Sequence, residues 1–260
     1  MFSKWKVWRS HGRQFIPDLQ GVRLPDTFRG RPSINGPVSK QTADELAKVC
    51  PVGAITAEPF TLDLGRCVFC NECAMRAPQY IVFTPDYRLA TPDREALIIR
   101  EDSPEVIPFE AEKVRSCIHR LFGRALKLRE VSAGGDNSTE MELNASMNVN
   151  FDFSRFGIDF VASPRHADGV VMTGPLTENM ARALEICYNS VPAPRLLILA
   201  GSDAVSGGIF ADSPALDRRF LERYRVDLYI PGNPVHPLTF IDGVMTLLGH
   251  YQRTPWSEFR

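Results

Sequence analysis

The sequence predicts an α/β protein in which a parallel sheet with covering helices is preceded by a small, loop-rich segment built around bound metal. Two observations carry this expectation. Beyond residue 110, strand-like runs alternate with helical patterns of about 12 residues, the rhythm of parallel strands joined by crossover helices. Before it, Cys50, Cys67, Cys70 and Cys73 fall within 24 residues of short, Pro-punctuated chain, while Cys117 and Cys187 stand apart. Clustered cysteines in a chain of this type read as metal or redox ligands rather than disulfides.

Taken in order, residues 1–32 form a basic N-terminal arm. Lys4, Lys6, Arg9, Arg13, Arg23, Arg29 and Arg31 face only Asp18 and Asp26, with Phe2, Trp5 and Trp8 interleaved. The arm reads either as a docking segment for a partner subunit or an anionic membrane surface, or as an extension packed on its own protein. Residues 33–109 form the second domain. Only Gln41–Val49 has helical periodicity there, ending at Cys50-Pro51. Loops this dense bury little apolar surface, so a metal or cluster staple is expected. Residues 110–260 form the third. Glu110–Gly123 reads as a helix, followed by strands at Ala125–Val131, Gly157–Ala162, Gly169–Thr173, Leu196–Gly201 and Val226–Ile230. Helices are predicted at Glu178–Asn189, Ser213–Tyr224 and Pro237–Tyr251.

Composition narrows the function classes. A hydrophobic fraction of 44% with 23% charged residues is that of a folded globular chain. A net charge of −1 provides no global attraction to nucleic acid, and no such partner is expected. No apolar run approaches the roughly 20 residues of a membrane helix, and MFSKWKVWRSHGR is too charged for the apolar region of a signal peptide. The expectation is a soluble, cytoplasmic chain.

The cysteine spacing is specific. Cys67-x2-Cys70-x2-Cys73 with a remote Cys50-Pro51 is how ferredoxin-type 4Fe–4S clusters are held. Zinc is the alternative, but such a site ordinarily wants a second cysteine pair or nearby histidines, and no histidine lies between His11 and His119. The segment resembles a two-cluster bacterial ferredoxin through Cys50-Pro-Val-Gly-Ala-Ile55 and Leu64-Gly-Arg-Cys-Val-Phe-Cys-Asn-Glu-Cys73. By that resemblance the other cluster would take positions 40, 43, 46 and 77, which here are Lys40, Ala43, Leu46 and Ala77. One ligand set is complete and the other is wholly absent. With Thr27-Phe-Arg-Gly-Arg-Pro32 ahead of these motifs, the N-terminal half is similar to the ferredoxin-type electron-transfer subunit of formate hydrogenlyase.

A second resemblance spans roughly residues 120–251. Arg155–Asp168 (RFGIDFVASPRHAD), Ser206-Gly-Gly-Ile-Phe210 and Val226-Asp-Leu-Tyr-Ile-Pro-Gly232 are similar to the small subunit of energy-converting nickel-iron hydrogenases, homologous to the B subunit of complex I. The resemblance implies a flavodoxin-like sheet domain preceded by a small ferredoxin-like 4Fe–4S domain. It also implies a proximal cluster, whose four ligand positions correspond here to Asp136, Thr139, Asp203 and Asn233. None is cysteine, and a 4Fe–4S cluster without thiolates is chemically implausible. Oxygen ligands suit Mg or Ca, although ordinary polar replacement is the plainer reading.

Cys117 and Cys187, on helical patterns with apolar neighbours, read as structural core. His166 reads as part of a packed loop at a subunit contact. Ser206-Gly207-Gly208 reads as close packing rather than an anion cradle. No catalytic residue is assigned, and any enzymatic role is that of a non-catalytic subunit in an oxidoreductase-like complex. The expected function is an iron–sulfur subunit in the cytoplasmic arm of a membrane-bound hydrogenase-like or complex I-like ion-translocating complex, carrying electrons through one 4Fe–4S cluster on Cys50, Cys67, Cys70 and Cys73. Its expected partners are a hydrogenase-large-subunit-like protein and membrane ion-translocating subunits, which would hold it on the inner face of the cell membrane. The alternative is a redox-silent structural or coupling subunit whose cluster only stabilises the fold.

Overall fold

The computed structural model describes residues 2–12, 14–110, 114, 116–123 and 125–254. Parts of the predicted helix at Glu110–Gly123, and Arg13 of the arm, lie outside the described residues.

The C-terminal sheet has five parallel strands, and the two at its centre explain why it reads so clearly in sequence. These strands, Gly169–Thr173 and Leu196–Ala200, are buried at every position. Both faces are covered, so each is a continuous run of apolar residues broken by little else. Numbering all strands of the chain in order, they are β8 and β9; β6 is Leu126–Ser132, β7 Ile158–Phe160 and β10 Leu228–Ile230. The spatial order is β10-β9-β8-β6-β7. Counted within the sheet this is 5-4-3-1-2, the flavodoxin-like winding, in which the direction of strand addition reverses between β6 and β8.

Each face of the sheet carries its own core. Leu126, Leu128, Val171, Ile198, Leu228 and Ile230 pack on one side with Phe240 and Val244 of α9, Pro237–Leu247. Val131, Val170, Met172, Leu197 and Leu199 pack on the other with Leu184 and Tyr188 of α6, Glu178–Ser190. Cys117, on α4 (Ser116–Phe122), and Cys187 are half-buried at the margins of these two cores. His166, at the end of the 3-10 turn Pro164–His166, is exposed.

Several predicted boundaries move. The helix expected over Ser213–Tyr224 forms only at Arg219–Arg223, α8. Tertiary hydrogen bonds hold the preceding residues in turns: Glu178 N–H donates to the Ala215 carbonyl and Asp217 N–H to the Leu176 carbonyl. The last helix stops at Leu247, and Gly249 turns the chain at φ 78°. In the sheet domain two helices, α5 at Ser138–Ser146 and α7 at Ser202–Ser206, have no counterpart among the expected elements. Their faces are too mixed and too short to show an apolar stripe.

The segment before the sheet has a compact core of its own. Helix α2, Lys40–Val49, is capped by Ser39, whose hydroxyl accepts from Thr42 N–H. Strands β2 (Ile55–Ala57), β3 (Phe60–Asp63) and β5 (Ile98–Ile99) form an antiparallel sheet. β1 (Pro32–Ile34) and β4 (Ile81–Phe83) pair as a second antiparallel ribbon. Leu46, Leu62, Leu64, Ile81 and Leu97 are essentially inaccessible, and Cys67 and Cys73 belong to the same cluster of buried residues.

This segment is joined to the sheet at the free edge of β10. Thr91 and Tyr229 exchange both backbone hydrogen bonds, each 2.9 Å, which satisfies an otherwise open strand edge. Ala90 packs onto Gly243 of α9, where an added Cβ would come within 2.5 Å of the alanine methyl.

The arm divides in two. Its first helix, α1 (Phe2–His11), is solvent-exposed at every residue described from Ser3 to His11, so among the described residues this part does not pack into either core. The remainder is anchored, with Leu19 buried in the sheet core and Arg155 donating to the Ile16 carbonyl at 2.7 Å.

Candidate functional site

The four predicted cysteines come together. Cys50 ends α2, Cys67 and Cys70 lie on the loop after β3, and Cys73 is in the short helix α3, Glu72–Arg76. All four line one small cavity walled by Val52, Ile55, Leu62 and Phe83. The loop is shaped to turn its sulfurs inward. Phe69 and Asn71 adopt positive φ of 53° and 71°, a conformation costly for a residue with a Cβ unless its surroundings impose it. Asp63 braces the approach, accepting from Gly65 N–H at 2.8 Å and pairing with Arg94 at 2.6 Å.

Backbone N–H groups already point at two of the sulfurs. Ala54 N–H donates to Cys50 Sγ at 3.2 Å, and Phe69 N–H donates to Cys67 Sγ at 3.3 Å. Such bonds favour a thiolate carrying negative charge. Burial opposes it, pushing the Cys67 thiol up to about 12 and that of Cys73 up to about 11. These thiols therefore ionise when a positively charged metal centre compensates their burial, and binding releases protons.

Among the described residues, no three His, Cys, Asp or Glu side chains converge closely enough to hold a single metal ion. The thiols instead stand around a cavity. Four thiolates enclosing a volume suit a 4Fe–4S cluster better than tetrahedral zinc, whose ligands must meet about 2.3 Å from one point. The residues present fit the cluster. Cys70 is the one exposed cysteine of the four, and Met75 and Val82 are also exposed.

The positions of a second ferredoxin cluster are filled by packing. Ala43, Leu46 and Ala77 are each at most 2% exposed, and Lys40 lies on the surface 3.6 Å from Glu58. Nothing there could bind iron.

Asp136, Thr139, Asp203 and Asn233 gather beyond the carboxyl ends of β6, β9 and β10, where ligands of doubly wound sheets bind. Asn233 donates from Nδ2 to Asp203 Oδ1 at 3.4 Å. Asp203 also lies against Gly208, so closely that a Cβ on that glycine would fall 1.7 Å from its Oδ1. Burial, and then the charge of Asp136, raise the Asp203 carboxyl above its ordinary range. Asp136 itself is held below its range, chiefly by hydrogen bonds from the Ser138 hydroxyl and N–H. Thr139 is buried against Gly201. This donor set of carboxylates, amide and hydroxyl does not fit an iron–sulfur cluster. Ser206 serves the same packing, its hydroxyl donating to the Ser202 carbonyl at 2.9 Å.

One residue invisible to motif reading ties the two places together. Ser202, fully buried, donates from its hydroxyl to the Cys67 carbonyl at 2.6 Å. Phe69 reaches the same edge, lining a cavity of about 260 Å³ with Phe28, Glu142, Asn233 and His236. No local signal marks Ser202, because its partner is 135 residues away.

The topology and the place of this edge define a doubly wound α/β domain joined to a cysteine-bearing segment at its ligand-binding end. The chain belongs to the NADH ubiquinone oxidoreductase, 20 Kd subunit family, whose model matches residues 137–247. It is 31% identical over 137 residues to the probable membrane-bound hydrogenase subunit mbhJ of Pyrococcus furiosus, covering 53% of this chain and 82% of that protein. With formate hydrogenlyase subunit 7 of Escherichia coli the identity is 33%, covering 56% of this chain and 57% of that one. A chain of the membrane-bound sulfane sulfur reductase, an archaeal respiratory membrane complex, aligns at a TM-score of 0.44 with 28% identity, covering 51% of this chain and 73% of that one.

Proposed function

We propose that this chain is an iron–sulfur subunit of a membrane-bound hydrogenase-like or complex I-like complex, carrying electrons through one 4Fe–4S cluster. The observation that supports it is the arrangement of Cys50, Cys67, Cys70 and Cys73 around one cavity, with N–H groups aimed at two sulfurs. The ferredoxin-like domain would comprise residues 33–109 and the family domain residues 110–260, with residues 1–32 as the arm. Partners would be a hydrogenase-large-subunit-like protein and membrane ion-translocating subunits, placing the chain on the inner face of the cell membrane. Among the described residues no helix is long and apolar enough to cross a membrane.

A bound 4Fe–4S cluster supplies a centre that takes up and releases one electron at a time. The chain's own residues set the conditions for that exchange. The four thiolates hold the iron, and the N–H groups of Ala54 and Phe69 stabilise added negative charge at Cys50 and Cys67. Val52, Leu62 and Phe83 line the cavity and keep water from the buried sulfurs. Cys70 brings the site to the surface, where a partner's redox centre can approach.

A second reading has its own support. At the carboxyl edge of the sheet, Asp203 and Asn233 bond to each other where the family resemblance implies cluster ligands. An electron leaving the cysteine site toward that edge meets no thiolate-bound centre. The subunit would then couple its neighbours mechanically, the cluster serving as a staple between Cys50 and the Cys67–Cys73 loop.

Anaerobic purification and analysis test the shared premise: four iron and four acid-labile sulfide per chain are expected, and Cys67→Ser should lose both. Eight or twelve iron, or stoichiometric zinc, refutes the ligand assignment. Paramagnetic resonance of the intact complex separates the two readings. A single reduced cluster appearing with the physiological donor supports electron transfer. A cluster that stays oxidised with every donor while the complex remains active supports the staple.

A further inference from the structure

We propose that helix α1 docks directly on an anionic lipid bilayer, giving this chain a membrane contact of its own in addition to any made through partner subunits. The helix is a ten-residue segment, about 15 Å long, exposed at every residue described from Ser3 to His11; among the described residues its neighbours outside the helix are Gln14 and Phe15 of the same arm. Its Trp5 and Trp8 are 58% and 71% exposed, a costly display of apolar surface for a helix left in water. They are three residues apart and therefore share a face. Arg9 lies over the Trp5 ring at 5.6 Å, and Lys4 flanks Trp8 one turn away.

Charge selects the occupant. Lys4, Lys6 and Arg9 lie on the helix, Arg13 follows, and no acidic residue occurs before Asp18. An anionic lipid surface complements a segment that is cationic throughout, and the effect adds up residue by residue. Indole rings prefer the boundary between headgroups and acyl chains, where their apolar body is buried and their N–H stays wet. The helix is too short and too polar to span a bilayer, so it lies in the surface plane.

The rest of the arm is held by the sheet domain. Ile16 N–H donates to the Asn150 carbonyl at 2.8 Å and its own carbonyl accepts from Arg155 at 2.7 Å. Arg155 also stacks over Phe15, 5.4 Å from the ring centre. Phe15 and Ile16, a few residues beyond α1, are thus anchored on the sheet domain.

The test is co-sedimentation of the full-length chain with vesicles of phosphatidylcholine alone or mixed with phosphatidylglycerol, read together with tryptophan emission. Binding to the anionic vesicles, a blue shift, and release by high salt are expected. Lys4→Glu/Lys6→Glu/Arg9→Glu should weaken binding by roughly a hundredfold or more. Trp5→Ser/Trp8→Ser should abolish the blue shift, with Trp256 as the remaining fluorophore. Equal binding to neutral vesicles, no binding to anionic ones, or unchanged binding by both variants overturns the proposal and leaves α1 to a protein partner. Iron content measured on the same preparations keeps this outcome separate from the fate of the cluster reading, on which the proposal does not depend.

Discussion

The hydroxyl of Ser202 is the sharpest handle on how the cysteine loop is held against the sheet. Ser202→Ala removes the 2.6 Å bond to the Cys67 carbonyl and a longer one, 3.3 Å, to the Gly232 carbonyl. Gly232 keeps a partner, because the Ser202 N–H still donates to it at 2.8 Å. The Cys67 carbonyl, in a residue only 8% exposed, loses its donor without gaining water. An unsatisfied buried acceptor costs about 1–3 kcal/mol, and a central value of about 2 kcal/mol corresponds to a fall in Tm of roughly 4–8 °C for a chain near this size. Thermal and urea unfolding of the iron-loaded protein measure it, with Ser206→Ala as the comparison. Ser206 bonds only within its own turn, donating to the Ser202 carbonyl at 2.9 Å and accepting from Gly208 N–H at 3.2 Å, and it leaves no long-range partner unsatisfied, so its loss should cost less. Iron content should be unchanged in Ser202→Ala, since no ligand is touched. A stability within about 0.5 kcal/mol of the unaltered protein would show that the loop is not anchored by this bond and would refute the reasoning.

Three further outcomes are expected. Gly208→Ala places a methyl on Asp203 at a φ of 55° and should destabilise by about 1–3 kcal/mol; combined with Asp203→Ala it should cost less than the sum, as measured by a double-mutant cycle. His236 and Glu130 should pull stability in opposite directions with pH. Burial depresses His236 to about 4 from 6.5, so its unfolded form binds the extra proton and stability is lost as pH falls from 6.5 to 4. Burial, then Glu140, raises Glu130 to about 7 from 4.5, so the stability it contributes below 4.5 is lost as pH rises toward 7. The two slopes offset in the unaltered chain: His236→Asn should leave stability falling from pH 4.5 to 7 and Glu130→Gln should leave it rising, each visible in urea midpoints. Cys117→Ala and Cys187→Ala should keep the full iron content and visible spectrum, and loss of iron from either would mean that the ligand set is misassigned.

What the sequence determined by itself was local or periodic. The sheet's central strands, Gly169–Thr173 and Leu196–Ala200, announce themselves because burial on both faces leaves an unbroken apolar run. Helices α2 and α6 are long enough for their period to show, and the Cys67–Cys73 spacing is fixed by a single tight loop. The short elements, β1 to β5 and α7, were beyond reach, since two to five residues carry no readable period and form because distant partners complete their hydrogen bonds. Likewise Ser213–Arg218 has a helical pattern, but backbone bonds to Leu176 and Glu178 outweigh it. Only the tertiary structure decided that α1 stands free, that Asp203 and Asn233 bond at the carboxyl edge, and that Ser202 reaches the Cys67 carbonyl. Each of these depends on contacts, or on their absence, across scores of residues, and no window of sequence contains both ends.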